Sequence, residues 1–192
     1  MTSKSSSPHT RAIKTPCLSL SSPVGLLALA EADGAIVTPR LSLSSPVGLL
    51  ALAEADGAIV TLGWGPVADA AETPLLVEAR DQLAAYFAGK LCRFDLPLRP
   101  HGSRFCQAVW DLMREIPWGQ TRTYGALARA LGTAPRAVGG ACGRNPIAII
   151  IPCHRVTGGG GGLGGYSGAE GPATKRRLLE LEGAGRLIPA TS

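Results

Sequence analysis

Apolar and polar positions alternate in a short part of the first third of the chain, and this pattern predicts a β-hairpin. Residues 48–53 read GLLALA and residues 58–62 read AIVTL. The pair Asp56-Gly57 lies between them, and Asp-Gly is a strong signal for the tight turn of a hairpin. We therefore expect two antiparallel strands within a small sheet.

A helical period follows the predicted hairpin. Residues 72–89 place apolar side chains on one side of a helix, and Gly89 marks its end. These side chains are Leu75, Leu76, Ala79, Leu83 and Phe87. Residues 94–98 then read as a short strand ended by proline, and residues 97–102 as a domain boundary. We expect an N-terminal sheet domain over residues 41–99 and a second domain over residues 100–192.

The second domain begins with three predicted helices. The first covers residues 104–116, with an apolar face made of Phe105, Val109, Leu112 and Ile116. Thr123 is a suitable N-cap for the second helix, which Gly132 ends. Thr133 can cap the third, with Pro135 near its first turn. Two short helices joined by a tight glycine turn form the pattern of a helix-turn-helix motif.

The third helix contains two adjacent glycines, Gly139 and Gly140. Each costs about 1 kcal/mol relative to alanine. Close packing on a neighbouring helix would explain them, and so would the approach of bare backbone to a flat ligand. In the second case Arg136 is the one long side chain that projects from the start of this smooth face.

The apolar run over residues 147–151 predicts a buried strand that Pro152 ends. Cys153 then lies where the strand exits, next to His154. A free thiol with a pKa near 8.5 is mostly protonated at neutral pH, and it becomes a good nucleophile only when a base or a positive charge acts on it. Adjacent residues on a strand face opposite sides, so a contact between these two requires a turn or a bridging water. A chance pair within a core strand is the alternative interpretation.

Residues 18–38 and 41–61 are identical over 21 residues. Two copies are too few for a solenoid, and perfect identity indicates a recent duplication or an artefact of the sequence. We assign the native place to the second copy, which continues directly into Gly63-Trp64-Gly65. Residues 18–40 are then an extra hairpin copy, for which three states are open: disorder, an added edge hairpin, or competition for the same place in the sheet. Residues 1–17 are Ser-rich, basic and free of acidic residues, and we expect a disordered tail there.

Charge is distributed unevenly along the chain, whose formal net charge is +5. Residues 1–99 contain 8 Lys/Arg and 9 Asp/Glu, whereas residues 100–192 contain 11 and 5. A surface for polyanions is therefore expected in the second half. No apolar run approaches the roughly 20 residues that span a bilayer, and the start lacks the apolar block of a secretory signal, so we expect an intracellular protein.

The five cysteines include no CxxC pair. An odd number of cysteines without a secretion signal favours reduced thiols, one of which can be reactive. His9, Cys17 and His101 do not have a recognised zinc spacing, so we expect no metal site.

Around Cys153 the sequence resembles the O6-alkylguanine-DNA alkyltransferases, also called methylated-DNA–protein-cysteine methyltransferases. The resemblance is carried by Pro152-Cys153-His154-Arg155-Val156, by Asn145-Pro146 before it and by Gly165-Tyr166-Ser167-Gly168 after it. Upstream, Thr123-Tyr124 and residues 136–140 match at suitable distances, and residues 175–183 match the last helix. The resemblance covers about residues 41–188 and is strongest from residue 104 onward.

The resemblance implies an α/β (α+β) fold. A small N-terminal antiparallel sheet domain with a helix would be ribonuclease H-like, and a mostly helical C-terminal domain would carry a winged-helix-like helix-turn-helix motif and an active-site strand. It also implies DNA repair by irreversible transfer of the alkyl group of O6-alkylguanine, and of O4-alkylthymine, to Cys153. Each molecule would act once, without a metal or an organic cofactor.

The resemblance also implies the catalytic roles. Cys153 would be the nucleophile, and His154 would deprotonate it through a bridging water. Glu182 would orient His154, as the third member of a triad does. Tyr124 would donate a hydrogen bond to the purine, and Asn145 would stabilise the turn before the active strand.

Pocket and DNA contacts follow from the same resemblance. The pocket would be lined by Val156, Tyr166, Ser167 and Ala148, the last leaving room for larger adducts. The residues expected to contact DNA are Thr123, Arg136, Ala137, Gly139, Gly140 and Arg155. The glycine-containing helix would enter the minor groove of double-stranded DNA without sequence specificity, Arg136 would fill the place of the flipped nucleotide, and Arg155 would contact phosphates. We expect a monomer in the cytoplasm, or in the nucleus of a eukaryote.

Three other functions were weighed against this one. A non-catalytic binder of alkylated DNA would lack the acceptor cysteine, which this chain has. A cysteine hydrolase would need a distant histidine and an oxyanion hole, for which the sequence has no signature. A methylation sensor would need an attached regulatory domain. One departure from the family is the run of five glycines over residues 158–162, which predicts a more mobile loop before Tyr166.

Overall fold

Residues 38–68 and 70–184 are described by the computed structural model of the chain. The predicted basic tail, the first repeat copy up to residue 37 and the residues His9 and Cys17 lie outside these ranges. The described residues form a three-stranded antiparallel sheet with one long helix, followed by four shorter helices and a second, two-stranded sheet. The α+β architecture expected from the sequence is confirmed. Among the described residues, no helix is both long and apolar enough to cross a membrane.

The first sheet consists of β1 (Arg40–Ser45), β2 (Gly48–Ala55) and β3 (Ala58–Trp64), in that order. Asp56 and Gly57 both have positive φ, as the predicted two-residue turn requires. The predicted hairpin is therefore confirmed. Strand β1 was not predicted, because its polar and apolar residues also suit a loop. The second repeat copy thus supplies all of β2, nearly all of β1 and the first part of β3.

Helix α1 (Pro74–Phe87) packs on this sheet and lies within the predicted range, residues 72–89. The Thr73 side chain accepts a hydrogen bond from the Leu76 N–H at 3.2 Å, and Pro74 occupies the first turn. Its buried residues are Leu76, Ala79, Leu83 and Tyr86. The prediction placed Phe87 on the buried face, but the neighbouring Tyr86 is the fully buried residue.

The strand predicted over residues 94–98 is wrong. Only Leu98 forms a bridge, parallel to Ile59, and the Ile59 N–H donates to the Pro97 carbonyl at 2.8 Å. Pro97 has no N–H to continue a ladder, so the segment follows the sheet edge without becoming a strand.

Helix α2 (Arg104–Arg114) opens the C-terminal part, with the Ser103 side chain as its cap. Of the predicted apolar face, Val109 and Ile116 are buried, whereas Phe105 and Leu112 are only partly buried. The buried residues of α2 are Cys106, Val109, Trp110 and Met113. Trp110 also donates a hydrogen bond from Nε1 to the Ala141 carbonyl at 2.9 Å, which ties α2 to the glycine-containing helix.

Helices α3 (Tyr124–Ala130) and α4 (Pro135–Gly143) form the predicted helix-turn-helix pair. The Thr123 side chain accepts from the Ala126 N–H at 3.1 Å, as expected of a cap. The cap predicted at Thr133 is wrong, because Ala134 occupies the N-cap position of α4 without a side-chain bond. Pro135 at the first turn has no N–H to satisfy, so the helix begins without a polar cap.

The predicted strand over residues 147–151 is instead a buried turn. Ile149 has φ of 70°, a left-handed conformation that is rare for a β-branched residue. The turn docks on β3, since the Leu62 N–H donates to the Pro146 carbonyl and the Ala148 N–H to the Leu62 carbonyl. A 3₁₀ turn, Cys153–Arg155, follows directly. Cys153 therefore sits between two turns, and the strand geometry that separated it from His154 does not apply.

The remaining elements close the C-terminal part. Strand β4 (Arg122–Thr123) pairs in parallel with β5 (Val156–Thr157), which joins the start of α3 to the end of the 3₁₀ turn. Helix α5 (Pro172–Leu181) packs against that turn with a buried face. This face consists of Thr174, Lys175, Leu178 and Leu179.

Candidate active site

Cys153 lies on the wall of a cavity of about 670 Å³, a size that suits a small organic ligand. Its side chain is largely buried, with the residue 8% exposed. Six of the residues predicted for the site line the cavity: Tyr124, Arg136, Gly139, Cys153, Tyr166 and Ser167. They are joined by Pro135, Cys142, Gly143 and Gly165, which were not predicted. The cavity thus brings together the start of α4, the active-site turn and the loop before α5.

Two residues predicted for the pocket do not line this cavity. Val156 is fully buried in β5, and Ala148 is buried in the turn that docks on β3. All five residues of the turn over residues 147–151 are buried. The size of residue 148 therefore does not set the room for an adduct in the described cavity.

His154 is completely buried behind Cys153 and bonds to a carboxylate. Its Nε2 lies 2.8 Å from Oε1 of Glu182. A carboxylate only accepts hydrogen bonds, so Nε2 carries the proton and Nδ1 is the free base. Nδ1 is buried and has no hydrogen-bond partner among the described residues. Burial lowers the pKa of His154 despite the neighbouring Glu182, so the imidazole is neutral at physiological pH.

Arg155 corrects a prediction, because it is not available to DNA phosphates. Its guanidinium is buried and donates to Glu182 from Nε at 2.8 Å and from Nη2 at 2.9 Å. Nη1 donates to the Ile116 carbonyl at 2.6 Å. This bidentate ion pair holds Glu182 in place with fixed geometry.

Glu182 also receives a bond from the N-terminal part of the chain. The Tyr86 hydroxyl, on α1, donates to Oε1 at 2.8 Å. Burial alone would raise the pKa of Glu182, but hydrogen bonds from His154 and Arg155 outweigh it and lower the pKa to about 2. We call the four residues Tyr86, His154, Arg155 and Glu182 the inner network. Its carboxylate is charged at all physiological pH values.

The thiol of Cys153 is protonated in this environment. Burial raises the pKa of Cys153, although Asn145 and the charge of Lys175 oppose the shift. Asn145 braces the turn on both sides, since its Nδ2 donates to the Ile151 carbonyl at 2.8 Å and its Oδ1 accepts from the Ile147 N–H at 3.1 Å. The resting site therefore holds a neutral thiol next to a neutral imidazole.

Lys175 contacts the cavity-lining residues Tyr124 and Gly165 and was not predicted as a site residue. Its ammonium is buried and donates to the Val156 carbonyl at 2.5 Å, to the Gly165 carbonyl at 3.3 Å and to the Tyr124 hydroxyl at 3.5 Å. Burial lowers the pKa of Lys175 to about 8. The sequence did carry a signal, because Lys175 lies three and four positions before Leu178 and Leu179, on the apolar face of α5.

Tyr124 completes this side of the cavity. Its hydroxyl donates to the Gly165 carbonyl at 3.3 Å, and its ring lies so close to Gly164 that a Cβ there would be 2.8 Å from Cε2. Burial raises the pKa of Tyr124 to about 12, so the hydroxyl keeps its proton at neutral pH. We call Tyr124, Gly165, Tyr166 and Lys175 the outer wall. It presents a hydroxyl donor next to a cation.

Helix α4 places the predicted DNA contacts at the mouth of the cavity. Arg136 is exposed in the first turn of α4 and lines the cavity together with Gly139. Ala137 and Gly140 are half-buried, and Thr123 caps α3 behind them. A Cβ at Gly139 would lie 4.0 Å from the Tyr124 ring, which shows how closely the two helices approach at the cavity.

Comparisons with known proteins agree with this arrangement in both parts of the chain. The model of the 6-O-methylguanine DNA methyltransferase, DNA binding domain, matches residues 104–184, and that of the 6-O-methylguanine DNA methyltransferase, ribonuclease-like domain, matches residues 41–100. The crystal structure of Mycobacterium tuberculosis OGT in complex with DNA superposes with a TM-score of 0.69 at 43% identity, covering 79% of this chain and 95% of that chain. The chain belongs to the methylated-DNA–protein-cysteine methyltransferase family. The family resemblance predicted from the sequence is therefore confirmed.

Individual methylated-DNA–protein-cysteine methyltransferases give the extent of the similarity. The protein of that name from Methanosarcina acetivorans is 55% identical over 109 residues, which are 56% of this chain and 69% of the relative. The one from Mycobacterium tuberculosis is 56% identical over 106 residues, which are 54% of this chain and 63% of the relative. The matched segment thus spans about two thirds of the length of these curated relatives.

Proposed function

We propose that this methyltransferase-family chain repairs DNA by moving the alkyl group of O6-alkylguanine, or of O4-alkylthymine, to Cys153. The observation that carries the proposal is the position of Cys153 between a cavity and a buried His154–Glu182 pair. A nucleophile on one side of a site and an oriented base behind it are the two requirements of covalent catalysis by a thiol.

The proton of the thiol leaves through His154. Nδ1 is the free base of the imidazole, and a water between Cys153 and His154 carries the proton to it. The resulting imidazolium is stabilised by the carboxylate of Glu182, in the manner of a catalytic triad. Because the pKa of Cys153 is raised by burial, the thiolate forms when substrate is in place and does not persist in the resting protein.

The transfer itself is a displacement at the alkyl carbon. The bond from carbon to Sγ forms as the bond from carbon to O6 breaks, and its electron pair passes to the purine. The Tyr124 hydroxyl donates to the purine and so stabilises the leaving anion. Lys175, 3.5 Å from that hydroxyl, adds positive charge at the same place. Tyr166 and Ser167 form the wall on which the base rests.

Double-stranded DNA reaches the cavity along α4. The helix enters the minor groove, where Ala137, Gly139 and Gly140 allow close approach, and Thr123 lies at the start of the neighbouring helix. Arg136 occupies the place of the flipped nucleotide, which costs a few kcal/mol to extrude and less when its pairing is already damaged. Contacts of this kind are independent of sequence and suit a search for lesions.

The product is a thioether at Cys153, so each molecule accepts one alkyl group. The displacement uses side chains and water, and it calls for no organic cofactor or metal. We infer a monomer that acts in the cytoplasm, or in the nucleus of a eukaryote, where it has access to chromosomal DNA.

The deciding experiment is incubation with a duplex that contains one O6-methylguanine, followed by intact-protein and peptide mass spectrometry. We expect one methyl group per molecule, located on Cys153. Cys153→Ala should accept none, whereas Cys92→Ser, which changes an exposed thiol, should behave as the wild type. Methyl transfer that persists in Cys153→Ala would refute the proposal.

The role of Arg136 has a separate test. Arg136→Ala should slow repair of duplex DNA more than reaction with free O6-methylguanine base, because only the duplex requires extrusion. An equal loss on both substrates would contradict a role in flipping.

A further inference from the structure

Trp64 connects the first sheet to the loop that forms one wall of the cavity. It is the last residue of β3, and its Nε1 donates to the Val47 carbonyl at 2.9 Å. Its ring meets Tyr166 edge to face, with centroids 6.1 Å apart and planes at 83°. The indole is therefore fixed by the sheet at one edge and contacts a cavity-lining side chain at another.

The indole also lies directly on the backbone of Gly168. A Cβ at this position would be 2.3 Å and 2.4 Å from Cζ3 and Cη2 of Trp64, distances that side chains do not tolerate, and 2.8 Å from Cε1 of Tyr166. Gly168 does not have a positive φ. Its lack of a side chain thus serves the close approach of the ring and not an unusual backbone conformation.

The loop that Trp64 contacts has one side chain in residues 158–165, that of Leu163, which packs against Leu179 and Ala184. Seven of the eight residues 158–165 are glycine, and glycine loses more conformational entropy on ordering than any other residue. Within this stretch the described bonds include Gly158 N–H to Gly162 carbonyl at 2.7 Å and the contacts of Tyr124 and Lys175 with Gly165. Tyr166 and Ser167 follow these glycines immediately and line the cavity.

We propose that Trp64 is a positioning residue, which holds Tyr166 and Ser167 in place on the cavity wall through its contacts with Tyr166 and Gly168. It acts on the reaction through these residues and does not itself touch the substrate. The N-terminal sheet then contributes to alkyl transfer by ordering the glycine loop. The effect on transfer rests on the function proposed above, whereas the effect on loop order does not.

Trp64→Leu and the conservative Trp64→Phe test this role by two measurements. Hydrogen exchange of residues 158–170, followed by mass spectrometry, reports loop order without DNA. The rate of methyl transfer from an O6-methylguanine duplex reports the reaction. We expect Trp64→Leu to speed exchange in this segment about tenfold and to slow transfer about tenfold. Trp64→Phe keeps an aromatic edge on Tyr166 and should stay within about threefold of the wild type in both.

The matched control is Leu52→Ala, a buried residue of β2 that pairs with Leu62. It destabilises the same sheet by cavity formation without a contact to the loop. Compared at equal global stability in urea, it should leave exchange of residues 158–170 and the transfer rate of folded protein unchanged. Equal effects of Trp64→Leu and Leu52→Ala would overturn the proposal, and so would loss of loop order without a slower transfer.

A double-mutant cycle tests the contact itself. Gly168→Ala pushes a methyl group into the indole and should disorder the loop. In Trp64→Leu the indole is gone and only the contact with Tyr166 Cε1 remains, so the same alanine should have a smaller effect on exchange. Equal effects in both backgrounds would show that the ring and Gly168 do not act together. A wild type that transfers no methyl group would refute the proposed function. The hydrogen-exchange data would still show whether Trp64 orders the loop.

Discussion

The inner network and the outer wall both surround Cys153, but they are held in different ways. The inner network bonds Glu182 to His154, Arg155 and Tyr86 at 2.8–2.9 Å, with charges on both sides of the ion pair. The outer wall holds Tyr124 by hydrogen bonds of 3.3 Å and 3.5 Å, next to a loop of glycines. His154 and Glu182 are therefore held by short, charge-assisted bonds, whereas Tyr124 is held by longer bonds beside a stretch of glycines.

Glu182→Gln should break the inner network and produce the largest effect. It leaves the buried guanidinium of Arg155 without its charged partner, which costs about 3–5 kcal/mol of unfolding free energy. It also removes the group that orients His154, so methyl transfer should slow by about a hundredfold or more. Urea denaturation at pH 7 and single-turnover kinetics measure both.

The matched control is Glu180→Gln, which changes an exposed carboxylate in the last turn of α5, two positions before Glu182. It should alter the unfolding free energy by less than about 0.5 kcal/mol. Equal unfolding free energies of Glu182→Gln and Glu180→Gln would show that the ion pair of the inner network does not stabilise the fold.

Lys175→Met tests the outer wall through the pH dependence of the unfolding free energy. Burial lowers the pKa of Lys175 from 10.5 to about 8. Between these values the unfolded chain holds a proton that the folded chain has lost, so the free energy of unfolding rises with pH across this window, by up to about 3 kcal/mol. We expect Lys175→Met to remove this rise, measured by urea denaturation between pH 8 and 10.5. The same slope in both proteins would contradict the buried ammonium.

Tyr86→Phe removes one bond of the inner network and keeps the ring contacts with Phe87, Phe94 and Trp118. A lost hydrogen bond to a charged group costs about 2 kcal/mol. His154 keeps its bond to Glu182, so transfer should slow less than tenfold. A loss of rate as large as that of Glu182→Gln would mean that Tyr86 has a direct part in the chemistry.

Deletion of residues 18–40 should have the smallest effect, within about 0.5 kcal/mol and without a change in transfer rate, because it affects neither the network nor the wall. Deletion of residues 39–61 yields the identical chain, since the two copies are the same. The copies are told apart by substitution. Leu50→Asp in the described sheet should unfold the protein, whereas Leu27→Asp at the matching position of the first copy should not. A folded Leu50→Asp would show that the first copy can take the place of the second.

Local patterns predicted much of the fold and the reactive centre. The Asp56-Gly57 turn and the cap Thr123 depend on neighbours in the sequence, and the structure has both. The membership in the methyltransferase family also followed from short motifs, chiefly residues 152–156.

What the sequence did not predict depends on partners far along the chain. Arg155 looks like a surface cation until Glu182, 27 positions later, is seen to bury it. The run over residues 147–151 looks like a strand because the left-handed turn at Ile149 has no local signal, and docking on Leu62 decides it. The burial of Lys175 also depends on distant segments, since its ammonium donates to the carbonyl groups of Val156 and Gly165.

The bond from Tyr86 to Glu182 spans 96 positions and joins the two matched domains at one carboxylate. This bond restricts the exchange of domains between family members. A chimera that takes its first domain from one family member and its second from another must match a tyrosine hydroxyl on α1 to a glutamate after α5. Where the tyrosine is missing, Oε1 of the buried glutamate loses one of its three donors and keeps those from His154 and Arg155. The two separately matched domains are therefore not fully interchangeable between relatives.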